Sequence, residues 1–238
     1  MQSNIKGLLF DKDGTLFDFR QTWGGWTDRF LGHIADSSTL ADTLAAAIGF
    51  DRRSKEFSHD SPAIAGTPSD IAEEIAPFLP DRSVSDLTAQ IIESSSTAPQ
   101  ISPVPLVAFL RNLRSSGFFL GVATNDAEAS ARAHLQQTEI EDCFDFIAGY
   151  DSGFGPKPGA GMPRAFLAAT GLEPSQAVMI GDSMHDLLAG QAAGLRCIGV
   201  LTGTASERTL ASLADSVLPS IADLPEWLGL PPRPPQKR

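Results

Sequence analysis

A short apolar run near the start of the chain ends directly in two acidic residues. Ile5 to Phe10 has the length and composition of a buried β-strand, and Asp11-Lys12-Asp13-Gly14-Thr15 follows it. Open α/β sheets form their ligand crevices outside the carboxyl ends of their strands, so this pattern predicts that Asp11 lies at such a crevice. We expect the chain to turn sharply at Gly14.

The motif has two other interpretations, a solvated turn and a calcium-binding loop. Asp-Gly is common in solvated turns, and for the motif taken alone a solvated turn is the stronger interpretation. A calcium loop counted from Asp11 would place Leu16 where such a loop requires glycine and Thr22 where it requires glutamate. The calcium interpretation therefore fails.

Further along the chain, more polar residues follow predicted strands or lie in loops. They are Thr124-Asn125 after the apolar run Phe119–Ala123, Lys157 after the loop Gly153–Pro156, and Asp182 and Asp186 after the apolar run Ala177–Gly181. The loop before Lys157 is too rich in glycine and proline for a helix or strand. The acidic pair at the start of the chain therefore has partners at other predicted strand ends.

The spacing of apolar residues predicts an α/β fold with a Rossmann-like parallel sheet. Predicted strands alternate with predicted helices in the second half of the chain, as crossover connections require. The strands are expected near 119–123, 144–149, 178–181 and 197–201, with a short one near Val217, and the helices near 104–116, 126–139, 162–170 and 184–193.

Apolar residues recur at helical spacing between the first two motifs. Helices are expected around 23–34, 40–48, 67–77 and 84–95, with an irregular segment at 51–66 and a Ser/Thr/Pro linker at 94–99. We therefore predict a core domain of residues 1–17 and 101–230, interrupted by a mainly α-helical cap domain of residues 18–100. The proline-rich tail, residues 231–238, is predicted to be disordered.

Composition excludes several classes of function. The 238 residues carry a formal charge of −11, which disfavours nonspecific binding to nucleic acid. Cys143 and Cys197 lie far apart, which indicates two buried thiols rather than a disulfide framework or a zinc site. The amino terminus lacks the pattern of a signal peptide, and no apolar stretch would span a bilayer. We expect a cytoplasmic protein with no nucleic-acid or membrane partner.

Taken in order, the Asp-x-Asp-Gly-Thr, Thr-Asn, Lys-Pro and Gly-Asp-x-x-x-Asp motifs resemble those of the haloacid dehalogenase-like superfamily of phosphohydrolases. The resemblance covers residues 5 to about 203. The run Ala189–Gly194 after the last motif is similar to the phosphoglycolate phosphatase-like branch. The position of the insert matches the helical cap of that superfamily.

The resemblance implies a role for each matching residue. Asp11 would be the nucleophile and Asp13 the acid and base. Thr124, Asn125 and Lys157 would bind phosphate, although Asn125 and Asp126 could equally cap the next helix. The implied cofactor is Mg²⁺, held by the carboxylates of Asp11 and Asp182 and the backbone carbonyl of Asp13, with Asp186 in a supporting role.

One residue departs from the pattern of the superfamily. Lys12 stands where an apolar residue is common between the two aspartates. Its charge could tune the site, or its side chain could point elsewhere. We do not expect this residue to inactivate the protein.

The implied activity is Mg²⁺-dependent hydrolysis of a small phosphorylated metabolite, similar to phosphoglycolate, through an aspartyl-phosphate. The alternatives are a phosphoryl transferase of the β-phosphoglucomutase type and a catalytically silent binding module. Dehalogenation would leave Asp13 without a task. In the cap, Arg20 and Thr67 are candidate substrate-binding residues, and Arg52, Arg53 and His59 offer cations for a substrate carboxylate.

Overall fold

A computed structural model describes residues 4–58 and 60–230 of the chain. His59 and the tail 231–238 lie outside the described residues, so the predicted disorder of the tail stays a prediction. The helices are α1 Phe19–Ile34, α2 Ser38–Ala47, α3 Pro62–Ala65, α4 Pro68–Ile75, α5 Val84–Ser95, α6 Leu106–Ser115, α7 Glu128–Gln137, α8 Gly161–Thr170, α9 Met184–Ala192, α10 Glu207–Ala211 and α11 Leu224–Trp227. The strands are β1 Gly7–Phe10, β2 Phe50–Asp51, β3 Glu56–Phe57, β4 Phe119–Ala123, β5 Phe146–Ala148, β6 Ala177–Gly181, β7 Arg196–Val200 and β8 Ser216–Leu218.

Six strands form one parallel sheet in the order β5-β4-β1-β6-β7-β8, with β1 near its centre. Phe10 pairs with Val122 of β4 and with Ile180 of β6, so the carboxyl ends of the three central strands lie side by side. This is the predicted Rossmann-like α/β fold. The register places the residues that follow these strands side by side at the carboxyl end of the sheet.

Side chains of β1 alternate between the two faces of the sheet, as the two-residue period of a strand requires. Leu8 and Phe10 belong to one hydrophobic cluster, which α6 and the C-terminal segment cover. Leu9 belongs to a second cluster together with Phe166 of α8 and Leu187 of α9. Apolar residues on both faces explain why the strands appear in the sequence as unbroken hydrophobic runs.

A third cluster lies apart from the sheet and contains only residues between Trp26 and Ala98. It packs α1, α2, α4 and α5 against one another. The two segments that join this region to the sheet run side by side, since the Asp18 N–H donates to the Ile101 carbonyl at 2.7 Å. The separate cluster supports the proposed division into a core of residues 1–17 and 101–230 and a cap of residues 18–100.

The segment 51–66, expected to be irregular, contains ordered elements. The strands β2 and β3 form a two-stranded antiparallel hairpin, and α3 follows with Ser61 as its N-cap. Strands of two residues are too short to show alternation, and a four-residue helix too short to show a helical period, so the pattern of the sequence did not reveal them.

No helix among the described residues has both the length and the apolar character needed to cross a membrane. Cys143 and Cys197 are both free and buried, as the sequence predicted.

Candidate active site

The motifs singled out in the sequence meet at the carboxyl edge of the sheet. Asp11, Thr124 and Asp182 come directly after β1, β4 and β6, which are neighbours in the sheet. They line one cleft together with Asn125 and Lys157 and with side chains of the cap. All five of these side chains are buried. The sheet therefore supplies one wall of the cleft and the cap supplies the other.

Lys157 lies between two carboxylates. Its Nζ donates to Asp11 Oδ1 at 2.5 Å, to Asp186 Oδ1 at 2.6 Å and to the Ala123 carbonyl at 2.9 Å. Burial acts to lower the pKa of this ammonium, but the charges of Asp11 and Asp186 outweigh burial and raise the pKa above its ordinary value. Lys157 therefore remains positively charged beside Asp11.

Asn125 holds the Lys157 loop in place. Its Oδ1 accepts from the Lys157 N–H at 2.8 Å, and its Nδ2 donates to the Lys157 carbonyl at 3.0 Å. Neither Asn125 nor Asp126, for which a capping role was the alternative, is the N-cap of the next helix, because the N-cap of α7 is Ala127 and its side chain makes no capping bond. The first N–H of α7, that of Glu128, instead donates to Asp151 Oδ1.

Thr124 lies at the bottom of the cleft. Its Oγ1 accepts from the Asp126 N–H at 3.1 Å, and the residue is 2 % exposed. A hydroxyl that accepts one hydrogen bond still has its own proton to donate. The predicted contact between Thr124 and phosphate stays a prediction.

The side chains of Asp11, Asp182 and Asp186 converge, with one carboxylate oxygen from each within 4.8 Å of the others. Burial raises the pKa of Asp11 to about 7, with further contributions from Asp186 and Asp13, against the effect of Lys157. Burial, followed by the charge of Asp11, also raises the pKa of Asp182. Three buried carboxylates beside one ammonium leave an excess of negative charge that a cation would neutralise.

These donors fit Mg²⁺. All three are hard carboxylate oxygens, which magnesium prefers to the nitrogen and sulfur ligands typical of zinc. Asp186 is partly committed already, because its Oδ2 accepts from the N–H and Oγ of Ser183 at the start of α9 while its Oδ1 accepts from Lys157. Asp11 and Asp182 are therefore the better direct ligands.

Two glycines make room for Asp182, and one of them was missed in the sequence. A Cβ on Gly14 would lie 2.4 Å from Asp182 Oδ2, and a Cβ on Gly203 would lie 1.6 Å from the same atom. Gly14 also has a φ of 86°, which favours glycine and forms the expected turn. Thr202 Oγ1 donates to the Gly14 carbonyl at 2.6 Å and so ties the two loops together. Gly203 follows the strand predicted near 197–201, and this position at a strand end is the feature of the sequence that could have identified it.

Asp13 is held by two donors. Trp23 Nε1 donates to its Oδ1 at 2.9 Å, and Lys12 Nζ lies 2.6 Å from its Oδ2. Trp23 reaches Asp13 because the first turns of α1 pass beside that residue. The carboxylate of Asp13 therefore has a fixed orientation in the cleft.

Lys12 is fully buried behind Asp13 rather than exposed to solvent. Its Nζ lies 3.3 Å from Asp126 Oδ2 and 3.1 Å from His134 Nδ1, and 5.4 Å from the centre of the Trp23 ring. Burial acts to lower the pKa of Lys12, but Asp13 and Asp126 outweigh it and the pKa is raised. The departure at this position thus introduces a second buried cation next to the candidate acid.

His134 continues this network into the cap. An ammonium group only donates hydrogen bonds, so the His134 Nδ1 that faces Lys12 must be the acceptor, and its Nε2 carries the proton. Nε2 then donates to the carbonyl of Ser95, the last residue of α5, at 2.8 Å. Burial first, and then the charge of Lys12, lower the pKa of His134 to about 4. The ring is therefore neutral at physiological pH.

A second contact between core and cap forms at Ala65, the last residue of α3. Its carbonyl accepts from Asn125 Nδ2 at 2.7 Å and from His185 Nδ1 at 3.1 Å. His185 lies at the start of α9 and lines the cleft in this position.

The structure does not bring the proposed cap cations to the cleft. Arg20 has a 67 % exposed side chain that lies 3.8 Å from Glu56, so its expected role in substrate binding has no support in this geometry. Arg52 is paired with Asp28 and with Asp42 on the outer face of the cap, and Arg53 is exposed.

Thr67, the other cap residue expected to bind substrate, has a structural task instead. Its Oγ1 and N–H form a capping box with Asp70 at the start of α4. It is absent from the described residues that line the cleft, whereas its neighbours Gly66 and Pro68 are present. Thr67 thus begins the helix expected around 67–77, and its substrate-binding role is not supported.

Known proteins resemble this chain along most of its length. The family model of haloacid dehalogenase-like hydrolases matches residues 8–200. A phosphoglycolate phosphatase of Rhodospirillum rubrum is 35% identical over 95% of this chain and 92% of its own length. The pyrophosphatase PpaX of Bacillus pumilus is 34% identical over 94% of this chain and 96% of its own. The crystal structure of a predicted phosphoglycolate phosphatase from Haemophilus somnus shares the fold, with a TM-score of 0.71 and 18% identity over 95% of this chain and 98% of that one.

Replacing Lys12 with methionine should destabilise the protein. The substitution keeps the length of the side chain but leaves the buried Asp126 without its cation, which typically costs about 3–5 kcal/mol. Urea unfolding measures this loss. Lys6→Met, at an exposed lysine just before the same strand, is the matched control and should change stability by less than about 0.5 kcal/mol. Adding Asp126→Asn to Lys12→Met should recover part of the loss, and equal stabilities of all variants would contradict the buried ion cluster.

His134 should make the stability of the protein depend on pH. The pKa of His134 is about 4 in the folded protein, below its ordinary value of 6.5, so between these values the unfolded chain binds a proton that the folded chain does not. This contribution is complete above pH 6.5 and is lost as the pH falls toward 4. His134→Gln keeps an acceptor and a donor but does not titrate. The stability of the wild type should therefore fall relative to that of the variant over this range in urea unfolding, and parallel curves would refute the neutral, buried histidine.

Proposed function

Because the chain belongs to the haloacid dehalogenase-like hydrolases, in the branch of its phosphoglycolate phosphatase relatives, we propose that it is a Mg²⁺-dependent phosphatase that hydrolyses phosphate monoesters through an aspartyl-phosphate. The observation that carries the proposal is the arrangement around Asp11. One oxygen of its carboxylate is held by Lys157, and two further buried carboxylates lie beside it. A nucleophile, a cation for phosphate and a metal-binding donor set thus share one cleft.

Asp11 is the proposed nucleophile. Lys157 holds its Oδ1, so Oδ2 is the oxygen that attacks phosphorus. The new bond joins Asp11 to phosphorus, and the bond between phosphorus and the ester oxygen breaks. The Lys157 ammonium, close to the attacked group, lowers the repulsion between the substrate dianion and the carboxylate. Asn125 contributes by fixing the loop that carries Lys157.

Asp13 is the proposed acid and base. It donates a proton to the departing ester oxygen, then accepts a proton from the water that attacks phosphorus and releases phosphate from Asp11. The Trp23 N–H and the Lys12 ammonium fix the orientation of its carboxylate. Asp13 is thus protonated again at the end of each cycle, ready to donate to the next departing oxygen, and every proton is accounted for.

We propose that Asp11 and Asp182 supply the direct carboxylate ligands for Mg²⁺. When bound, the ion neutralises charge on the phosphate oxygens and on the buried carboxylates. Asp186 has a supporting role, because its carboxylate accepts hydrogen bonds from Lys157 and from Ser183 at the start of α9. The two free, buried thiols are compatible with the cytoplasm, which we keep as the proposed compartment.

The nucleophile assignment predicts that Asp11→Asn abolishes hydrolysis. Asparagine has almost the same shape but lacks the attacking charge, so the rate of phosphate release should fall by at least about a thousandfold while the melting temperature stays near that of the wild type. Acid quenching during turnover of a ³²P-labelled ester should leave label bound to the wild type and none to the variant. A fully active Asp11→Asn would refute the mechanism. Label that passes to a sugar acceptor without release of phosphate would indicate a phosphoryl transferase instead.

The ligand assignment predicts that Asp182→Ala weakens magnesium binding. Calorimetric titration of the substrate-free protein with Mg²⁺ measures this directly and does not depend on turnover. We expect affinity to fall by at least about tenfold, because a direct ligand is removed. Asp42→Ala, on the outer face of the cap, removes an acidic residue far from the cleft and should leave the affinity unchanged. Equal affinities of Asp182→Ala and the wild type would place the metal elsewhere.

A further inference from the structure

The wall that the cap contributes to the cleft is apolar. Its aromatic members are Phe19, Trp23, Trp26, Phe30 and Phe57, and isoleucines of the cap complete it. The cleft thus continues beyond the phosphate-binding groups along hydrocarbon and aromatic rings.

Three of the aromatic rings form a row that starts at Asp13. Trp23, Trp26 and Phe30 occupy positions three and four residues apart on α1, so they share one face of the helix. The two tryptophan rings meet edge to face with centroids 5.3 Å apart, and Trp26 stacks on Phe30 at 5.0 Å. Trp23 donates a hydrogen bond to Asp13, the candidate acid. A leaving group whose oxygen lies at Asp13 would therefore extend along this row of rings.

Positive charge in the cleft is confined to the phosphate end. Within the described part of the chain, Lys157 is the one lysine or arginine that lines the cleft, and its ammonium faces Asp11 and Asp186. Lys12 is covered completely by Asp13, Asp126 and its other neighbours. Both of these aspartates also line the cleft. A substrate carboxylate there would meet acidic groups and hydrocarbon, and burial without a partner is costly for such a charge.

We propose that the substrates of this protein are phosphate monoesters whose alcohol carries an uncharged, apolar group of about the size of an aromatic ring, rather than a carboxylate. This inference rests on the proposed phosphatase function and specifies the substrate class of the same cleft. Aromatic walls bind rings by burial of apolar surface and by edge or face contacts, and they offer nothing to an anion.

The direct test compares two esters of primary alcohols, 2-phenylethyl phosphate and phosphoglycolate, with Mg²⁺ present. Both leaving groups are alkoxides, so the comparison reports mainly on the binding of the rest of the molecule. We expect kcat/KM for the phenylethyl ester to be higher by at least about tenfold, the effect of burying one side chain of this size. Equal values, or a preference for phosphoglycolate, would overturn the proposal.

Two variants make the test specific to the cap wall. Ile71→Arg adds a cation to the wall and should raise kcat/KM for phosphoglycolate while lowering it for the phenylethyl ester. Ile101→Arg makes the same change at an exposed position outside the cleft and should leave the preference unaltered. If Ile71→Arg does not fold, Trp26→Ala should reduce the ratio of the two kcat/KM values by about tenfold, because it removes the central ring of the row. An unchanged ratio in a folded Trp26→Ala protein would contradict the proposal.

Binding of uncleavable analogues separates this inference from the phosphatase proposal. The phosphonates 3-phenylpropylphosphonate and 3-phosphonopropionate replace the ester oxygen by a methylene, and calorimetry of the wild type measures their affinities without turnover. Tighter binding of the phenyl compound, with neither ester hydrolysed, would support the apolar leaving-group site and overturn the phosphatase proposal. Hydrolysis of both esters with tighter binding of 3-phosphonopropionate would do the reverse.

Discussion

The ammonium of Lys157, buried between Asp11 and Asp186, is the interaction on which the site depends. The parallel register of the sheet brings Asp11 beside Asp182, and without a cation these carboxylates would repel one another in a region from which water is largely excluded. Lys157 offsets part of that repulsion. Burial first, and then the charges of Asp186 and Asp13, still raise the pKa of Asp11 to about 7, and three carboxylates beside one ammonium leave negative charge in excess. The same imbalance makes the cluster a good binding site for a divalent cation and for the phosphate that accompanies it.

A second buried cation lies on the other side of the strand end. Successive residues of an extended chain point in opposite directions, so Lys12 points away from Asp11, and the turn at Gly14 brings Asp13 back over it. The ammonium of Lys12 links Asp13 to Asp126 and, through the neutral ring of His134, to the carbonyl of Ser95 in the cap. One network of ion pairs and hydrogen bonds therefore fixes both the orientation of Asp13 and the position of the cap on the core.

Much of this arrangement could be predicted from the sequence, for identifiable reasons. Asp11, Thr124 and Asp182 each follow an apolar run, and parallel strands bring their carboxyl ends together, so a shared cleft followed from the pattern alone. The network behind Asp13 could not be predicted, because Lys12 and His134 are 122 residues apart and no periodicity connects them. The roles of the cap residues were still harder to predict from the sequence. Arg20 and Arg52 had the right charge for a substrate anion, but acidic neighbours pair with them away from the cleft, which depends on packing and not on local sequence.

Helix α1 combines two tasks that are usually considered separately. Its Trp23 donates a hydrogen bond to the candidate acid, while Trp26 and Phe30, further along the same face, form the wall that a leaving group would contact. A rigid helix fixes the distance between these positions, so the cap cannot withdraw its apolar wall without also withdrawing the indole N–H from Asp13. Recognition of the leaving group and orientation of the group that protonates it are therefore coupled through one helix. An ester that fills the row of rings would hold α1 in the position that keeps Asp13 aligned, whereas one that leaves the row empty would gain no such support.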